Sequence, residues 1–230
     1  MGIICVNSHL LSDFKLNEDN GLFILEGASM DNLQKFKSEN KFAKFTSSIT
    51  HPPLVSIPTF AIINYFLLGF NHSITTTVIC WIFGAFLPIF TSLILIEKMH
   101  TDIDITDRTK RTLPLFYADC SYLIGFFILF YLGAPALTTA LMFIYFSNTM
   151  IILFINFSWK ISIHAMGVAG PTVALTYLLG FPGVIFWIMI PLVMWSRVKL
   201  KKHTISQVLA GGLLGIVLTA VQLYFIVPAI

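Results

Sequence analysis

Charge is scarce in this chain. Its 230 residues include 14 Lys and Arg and 11 Asp and Glu, so only 11% are charged while 57% are hydrophobic. Soluble domains run to about a quarter charged, because their surface must be wetted. There is too little charge here to cover such a surface, and the mean hydropathy of +0.84 points to lipid as the surrounding solvent. A net charge of +3 makes no case for a nucleic-acid partner. Cysteine is scarce too. Cys5, Cys80 and Cys120 have no CxxC spacing, which argues against a disulfide framework or a zinc site. The two in apolar stretches read as buried, inert thiols. The N-terminus lacks the basic-then-apolar pattern of a cleaved signal peptide. It begins Met1-Gly2, but Val6 stands where a myristoylation signal needs Ser or Thr, so no lipid anchor is assigned.

What the chain has in quantity is long apolar sequence. Runs at 54–70, 74–96, 115–133, 137–158, 165–180, 183–196 and 206–227 approach the roughly 20 residues a helix needs to cross a bilayer. The expected fold is an all-α, polytopic transmembrane helix bundle of six or seven spans, occupying residues 53–230. The two runs around Phe181-Pro182-Gly183 are short. Pro-Gly favours a turn, which predicts two short or tilted helices rather than one long one. Residues 1–52 read as a polar N-terminal tail. Within it, Leu33, Phe36, Phe42 and Phe45 alternate with Lys35, Lys37, Lys41 and Lys44. That pattern suits either an interfacial amphipathic helix or a partly disordered tether.

The connections between runs alternate in character. Asn71–Ser73, Gly133–Ala136 and Phe181–Gly183 carry no Lys or Arg. Every Lys and Arg falls in the tail or in the connections Glu97–Pro114, Trp159–His164 and Ser196–Ile205. Seven spans would gather that set of segments on one face. The positive-inside rule makes it the cytoplasmic face.

The same face holds the residues that could carry chemistry. The last connection reads Ser196-Arg197-Val198-Lys199-Leu200-Lys201-Lys202-His203-Thr204-Ile205-Ser206-Gln207, an SR-x5-H-x3-Q pattern. The middle one gives Ser162-Ile163-His164, and the first gives Arg108-Thr109-Lys110-Arg111-Thr112-Leu113-Pro114. Here the chain resembles the type 2 phosphatidic acid phosphatase superfamily of membrane lipid phosphatases, whose motifs are KxxxxxxRP, PSGH and SRxxxxxHxxxD. The resemblance runs from about Glu97 to the C-terminus. Ser196, Arg197 and His203 match at the family spacing, and Ser162 and His164 match two of four positions in the second motif. The first motif is degenerate, Gln207 replaces the final Asp, and Ile161 and Ile163 replace the family Pro and Gly. These departures mark a divergent member.

The resemblance implies a metal-independent and cofactor-free lipid phosphatase. His203 would attack phosphorus and form a phosphohistidine, His164 would act as general acid and base, and Gln207 would orient His203 through its amide oxygen. Arg197, Ser162, Arg108, Lys110 and Arg111 would bind the substrate phosphate. A guanidinium fork suits phosphate oxygens geometrically and stabilises charge in the transition state. The partners would be membrane lipids, with a polyprenyl phosphate or diphosphate as the first choice of substrate and a glycerolipid phosphate as the second.

Plainer readings stand beside these. A basic loop also binds anionic headgroups without catalysis, and cations beside a span also fix orientation. Asp119, inside a span, reads either as a functional acid or as the structural partner of a neighbouring cation. Asn148 and Asn156 read as helix-packing residues. The competing class is a non-catalytic lipid-binding protein or small transporter.

Overall fold

The computed structural model describes residues 41–100, 105 and 107–230. Most of the predicted amphipathic stretch, Leu33, Lys35, Phe36 and Lys37 included, lies outside these residues. Ala43–Ile230 form one compact unit. It is an all-α bundle: α1 (41–49), α2 (Pro52–Trp81), α3 (Leu87–Lys98), α4 (Thr112–Tyr131), α5 (Ala136–Asn156), α6 (Ile163–Leu179), α7 (Met189–Lys199) and α8 (Ile205–Ile226). Five continuous helical stretches are long and apolar enough to cross a membrane. The outer surface carries large exposed apolar side chains such as Phe70, Phe90, Tyr131, Phe181 and Phe225. Water would penalise that surface and lipid would not, as expected of an integral membrane protein.

The longest of those stretches, Pro52–Lys98, is not a single rod. Gly69 leaves the helical region at φ 72, ψ 170, a conformation open to glycine and costly for residues with a Cβ. Beyond it the chain runs back on itself. Trp81 Nε1 donates to the Ile57 carbonyl at 2.9 Å, and Asn64 Nδ2 donates to Thr77 Oγ1 at 3.1 Å. Residues 24 apart on a straight helix would lie about 36 Å apart at 1.5 Å rise per residue, so the segment is a helical hairpin. The sequence predicts this reversal at Asn71–Ser73, and the structure moves it to Gly69.

The returning arm carries Pro88 at the start of α3. Proline has no N–H for the carbonyl four residues before it, here that of Gly84, and a π-helical turn spans Ile82–Phe86. Ser56 Oγ donates to the Gly84 carbonyl at 3.0 Å, and Ser121 Oγ to that of Phe83 at 2.7 Å. The freed acceptors are thus satisfied by two neighbouring helices.

The second expected reversal is also present. Gly180 has φ 64, a 3-10 segment covers Phe181–Ile188, and Thr176 Oγ1 donates back to the Gly183 carbonyl at 3.3 Å. Two short antiparallel segments therefore replace one long helix. The chain reverses at Gly69, Gly133 and Gly180 at one end of the bundle, and the charged connections lie at the other.

Helices α6 and α8 pack through small residues. A Cβ on Gly211 would sit 2.5 Å from the Ser162 carbonyl oxygen, and one on Gly215 would sit 2.9 Å from Ala169 Cβ. In lipid, where helices gain little by hiding from solvent, such close approach supplies the packing energy. Deeper in the bundle, Asn148 Nδ2 donates to Thr219 Oγ1 at 3.2 Å, and Gln222 Nε2 donates to Asn148 Oδ1 at 2.9 Å. Asn148 thus fastens α5 to α8, in line with its expected packing role. Asn64 joins α2 to α5 through a 2.5 Å hydrogen bond from Thr138. These polar groups find partners inside the protein.

One boundary differs from the sequence reading. Residues 43–52 belong with the bundle rather than with a tail. Ala43, Thr46, Ser47 and Thr50 are buried, and Thr50 Oγ1 donates to the Thr46 carbonyl at 2.6 Å. Thr50 thus bonds its own helix and Ser47 Oγ accepts from Arg197, which lets a polar-looking segment pack.

Candidate active site

Three connections and the segment before α2 converge on one cavity of about 160 Å³. His51, Arg111, His164, Arg197 and His203 line it, and no Asp or Glu does so among the described residues. Its other walls include Pro88, Leu115, Ala118, Tyr122, Tyr145 and Ile152. Ala118, Tyr122, Tyr145 and Ile152 stand well inside α4 and α5, so the cavity extends from a cationic region into the apolar bundle.

Arg197 is 1% exposed and Arg111 4%. Burying a guanidinium is costly unless hydrogen bonds compensate. Arg197 Nη1 donates to Ser47 Oγ at 2.6 Å, and Arg111 Nε donates to the Ile105 carbonyl at 2.7 Å. The Arg197 carbonyl accepts from Lys202 N at 3.0 Å. The turn leading to His203 is thereby tied to the residue that carries the guanidinium.

His203 precedes the N-cap of α8. Thr204 caps that helix and Gln207 completes the capping box: Gln207 N donates to Thr204 Oγ1 at 3.4 Å, and Thr204 N donates to Gln207 Oε1 at 3.1 Å. The same Oε1 lies 3.1 Å from His203 Nδ1. Because Thr204 N–H donates to it, this atom is the amide oxygen, an acceptor only. Neutral His203 therefore carries its proton on Nδ1, which leaves the lone pair on Nε2. Burial, together with the nearby Arg111, Arg197 and Lys160 cations, pushes the His203 imidazole down to about 3, against an upward pull from the Gln207 hydrogen bond. The ring is neutral at physiological pH.

Ser162 is the N-cap of α6, accepting from Ala165 N at 3.4 Å, and its own N–H donates to the Gln207 carbonyl at 3.2 Å. That link joins the start of α6 to the first turn of α8, and so His164 to His203. His164 is the second residue of α6, and Arg197, His51, His203 and Arg111 are its charged or titratable neighbours.

The structure therefore brings together four of the eight site residues singled out in the sequence: Arg111, His164, Arg197 and His203. Gln207 stands behind His203, off the cavity wall. Ser162 is buried in its capping role and does not line the cavity. Arg108 and Lys110 do not line it either. Arg108 Nη1 donates to the Asn156 carbonyl at 3.0 Å, and Asn156 Nδ2 returns a bond to the Arg108 carbonyl at 2.8 Å. Lys110 Nζ donates to the Met99 carbonyl at 3.1 Å, just past α3. Both are used in holding the loop. Asp119 is buried with no hydrogen bond to its Oδ1 and is not on the cavity wall.

The sequence reading missed His51 and Ser47. The available signal was His51-Pro52-Pro53, a histidine held by the following prolines at the mouth of the first span. Among the described residues, no group of three or more His, Cys, Asp or Glu is arranged to hold a metal ion. No known family model matches this chain, and neither curated proteins nor solved structures yield a match.

Proposed function

We propose that this protein is a membrane-embedded lipid phosphate phosphatase working through a phosphohistidine on His203. The observation that carries the reading is the cavity itself, with two buried arginines and three histidines in its lining, no carboxylate among the described residues there, and an apolar continuation into the bundle. Such a site attracts a concentrated anion and accommodates the chain attached to it. An amphiphile with a phosphate head has both properties. The SR-x5-H resemblance supports the same reading.

In this mechanism the guanidinium groups of Arg111 and Arg197 bind the phosphoryl oxygens and stabilise the charge of the transition state. The Nε2 lone pair of His203 attacks phosphorus, and the bond to the leaving oxygen breaks. His164 takes up a proton as the phosphate dianion binds beside it, and gives that proton to the leaving oxygen. A water then attacks the phosphohistidine, giving its proton to His164, and inorganic phosphate departs with His203 restored. Gln207 keeps His203 in the tautomer that exposes Nε2. A polyprenyl phosphate or diphosphate is the first substrate class to try, then a glycerolipid phosphate. The positive-inside rule puts this face in the cytoplasm, since Lys41 and Lys44 lie outside the motifs and fall on the same side of the charge count.

The test is phosphate release by purified protein from a panel of lipid phosphates and diphosphates. The reading expects turnover of at least one amphiphile, lost in His203→Ala. Release from none of them, with the protein folded, would favour a lipid-binding protein instead.

A further inference from the structure

Residues 43–53, ahead of and entering the first span, touch the site at two points. Ser47 accepts a 2.6 Å hydrogen bond from buried Arg197. The His51 ring stands edge-on to that of His164, with centroids 5.1 Å apart and planes at 85°. Both rings line the same cavity.

The His51 contact is built from three sides. The residue before a proline is held in extended backbone, and His51, followed by Pro52, sits at φ −62, ψ 128. Its carbonyl accepts from Leu54 N at 2.8 Å and Val55 N at 3.0 Å, fastening it to the first turn of α2. Pro52 in turn nests against Gly167, where an added Cβ would meet Pro52 Cβ at 2.5 Å. Gly167 lies three residues beyond His164, on the same face of α6. The missing side chain at 167 is what lets the start of α2 close on the first turn of α6 and lay one imidazole against the other.

We infer that His51 is a positioning residue that fixes the orientation of the His164 imidazole for proton transfer. The inference rests on the acid–base role proposed for His164. An imidazole facing a cavity from the first turn of a helix has several rotamers open to it. A second ring packed across it removes most of them before substrate arrives. Proton transfer requires heavy atoms within hydrogen-bond reach, and a misplacement of about 1 Å can cost on the order of 10²-fold. The segment before the first span is therefore part of the reaction site, with Ser47 serving Arg197 and His51 serving His164.

Two arms of one experiment test this with the full chain in detergent. In the first, wild type, His51→Phe and His51→Asn are compared on a lipid monophosphate and on a lipid diphosphate. An alkoxide needs a proton to leave and a phosphate needs it far less. His51→Phe should therefore lose roughly 10-fold or more in kcat on the monophosphate and much less on the diphosphate, with His51→Asn in between. Equal losses on the two substrates, or none, would overturn the inference. The second arm measures diethyl pyrocarbonate modification of individual histidines by peptide mapping and needs no turnover. His51→Phe should change the modification rate of His164 several-fold while leaving that of His203 nearly unchanged. If wild type hydrolyses neither substrate, the phosphatase reading fails and this second arm decides: an unaltered His164 rate rejects a positioning role for His51.

Discussion

Gln207 Oε1 lies 3.1 Å from His203 Nδ1 and 3.1 Å from the Thr204 backbone nitrogen. One amide oxygen thus caps a helix and sets a histidine tautomer. Replacing Gln207 by Leu removes both. The lost half of the capping box should cost at most about 1 kcal/mol of stability, and turnover should fall much further than that cost explains. Gln207→Glu keeps both hydrogen bonds and adds a carboxylate that would favour the imidazolium formed in the proposed attack. It should retain or raise activity, as measured by phosphate release. If Gln207→Glu is as inactive as Gln207→Leu, the oxygen does not orient His203.

Acid stability should report on the same histidine. His203 ionises at about 3 in the fold, against about 6.5 in an unfolded chain. Between those values the unfolded state binds the extra proton, so stability falls as pH drops from about 6.5 toward 3, at up to roughly 1.4 kcal/mol per pH unit. His203→Gln should flatten that limb of a Tm-against-pH curve in detergent. An acid limb as steep as that of wild type would show that His203 is not held neutral.

The cations should separate into two groups. Arg111 and Arg197 line the cavity, whereas Arg108 and Lys110 bind backbone carbonyls. Arg111→Ala and Arg197→Ala should abolish protection of the protein by vanadate, a phosphate mimic, in thermal shift. Arg108→Ala and Lys110→Ala should lower Tm while leaving the vanadate-induced shift largely intact. A loss of that shift in Lys110→Ala would return this residue to the proposed phosphate site.

Packing between α6 and α8 offers a test free of chemistry. In Gly211→Ala the new Cβ would meet the Ser162 carbonyl oxygen at 2.5 Å, with backbone that must move. Overpacking of this kind costs about 1–3 kcal/mol, read as a lower Tm in detergent. Unchanged stability would mean that the two helices are not in such close contact.

Much of this fold is legible in the sequence because lipid imposes a simple rule. Each apolar run must satisfy its backbone internally as a helix, and charge must leave the core. Phe181-Pro182-Gly183 carries its turn in its own chemistry. Part of the cavity is legible for the same reason, since Arg197 and His203 are fixed by spacing within a single turn. The rest depends on tertiary partners. Nothing in Arg108-Thr109-Lys110-Arg111 distinguishes a cation that meets phosphate from one that meets the carbonyl of Asn156 or Met99. The polar composition of residues 43–52 conceals a buried face, because Thr50 bonds back to its own helix and Ser47 meets Arg197. His51 meets His164 across 113 positions of sequence, through a packing contact at Gly167 that no local pattern displays.

Orientation can be tested independently of activity. Single cysteines in place of Lys44 and His72, in an otherwise cysteine-free chain, should label oppositely with an impermeant maleimide in intact cells. The account predicts labelling at position 72 and protection at position 44. The reverse pattern would place the cationic face outside.

The most direct measurement of the central claim is rapid-quench labelling with a phosphorus-32 lipid phosphate or diphosphate. Wild type should yield an acid-labile, base-stable phosphoprotein that disappears in His203→Ala together with turnover. His164→Ala should retain a trace of activity, since general acid–base catalysis contributes about 10²–10⁴-fold. Normal turnover in His203→Ala would contradict the account.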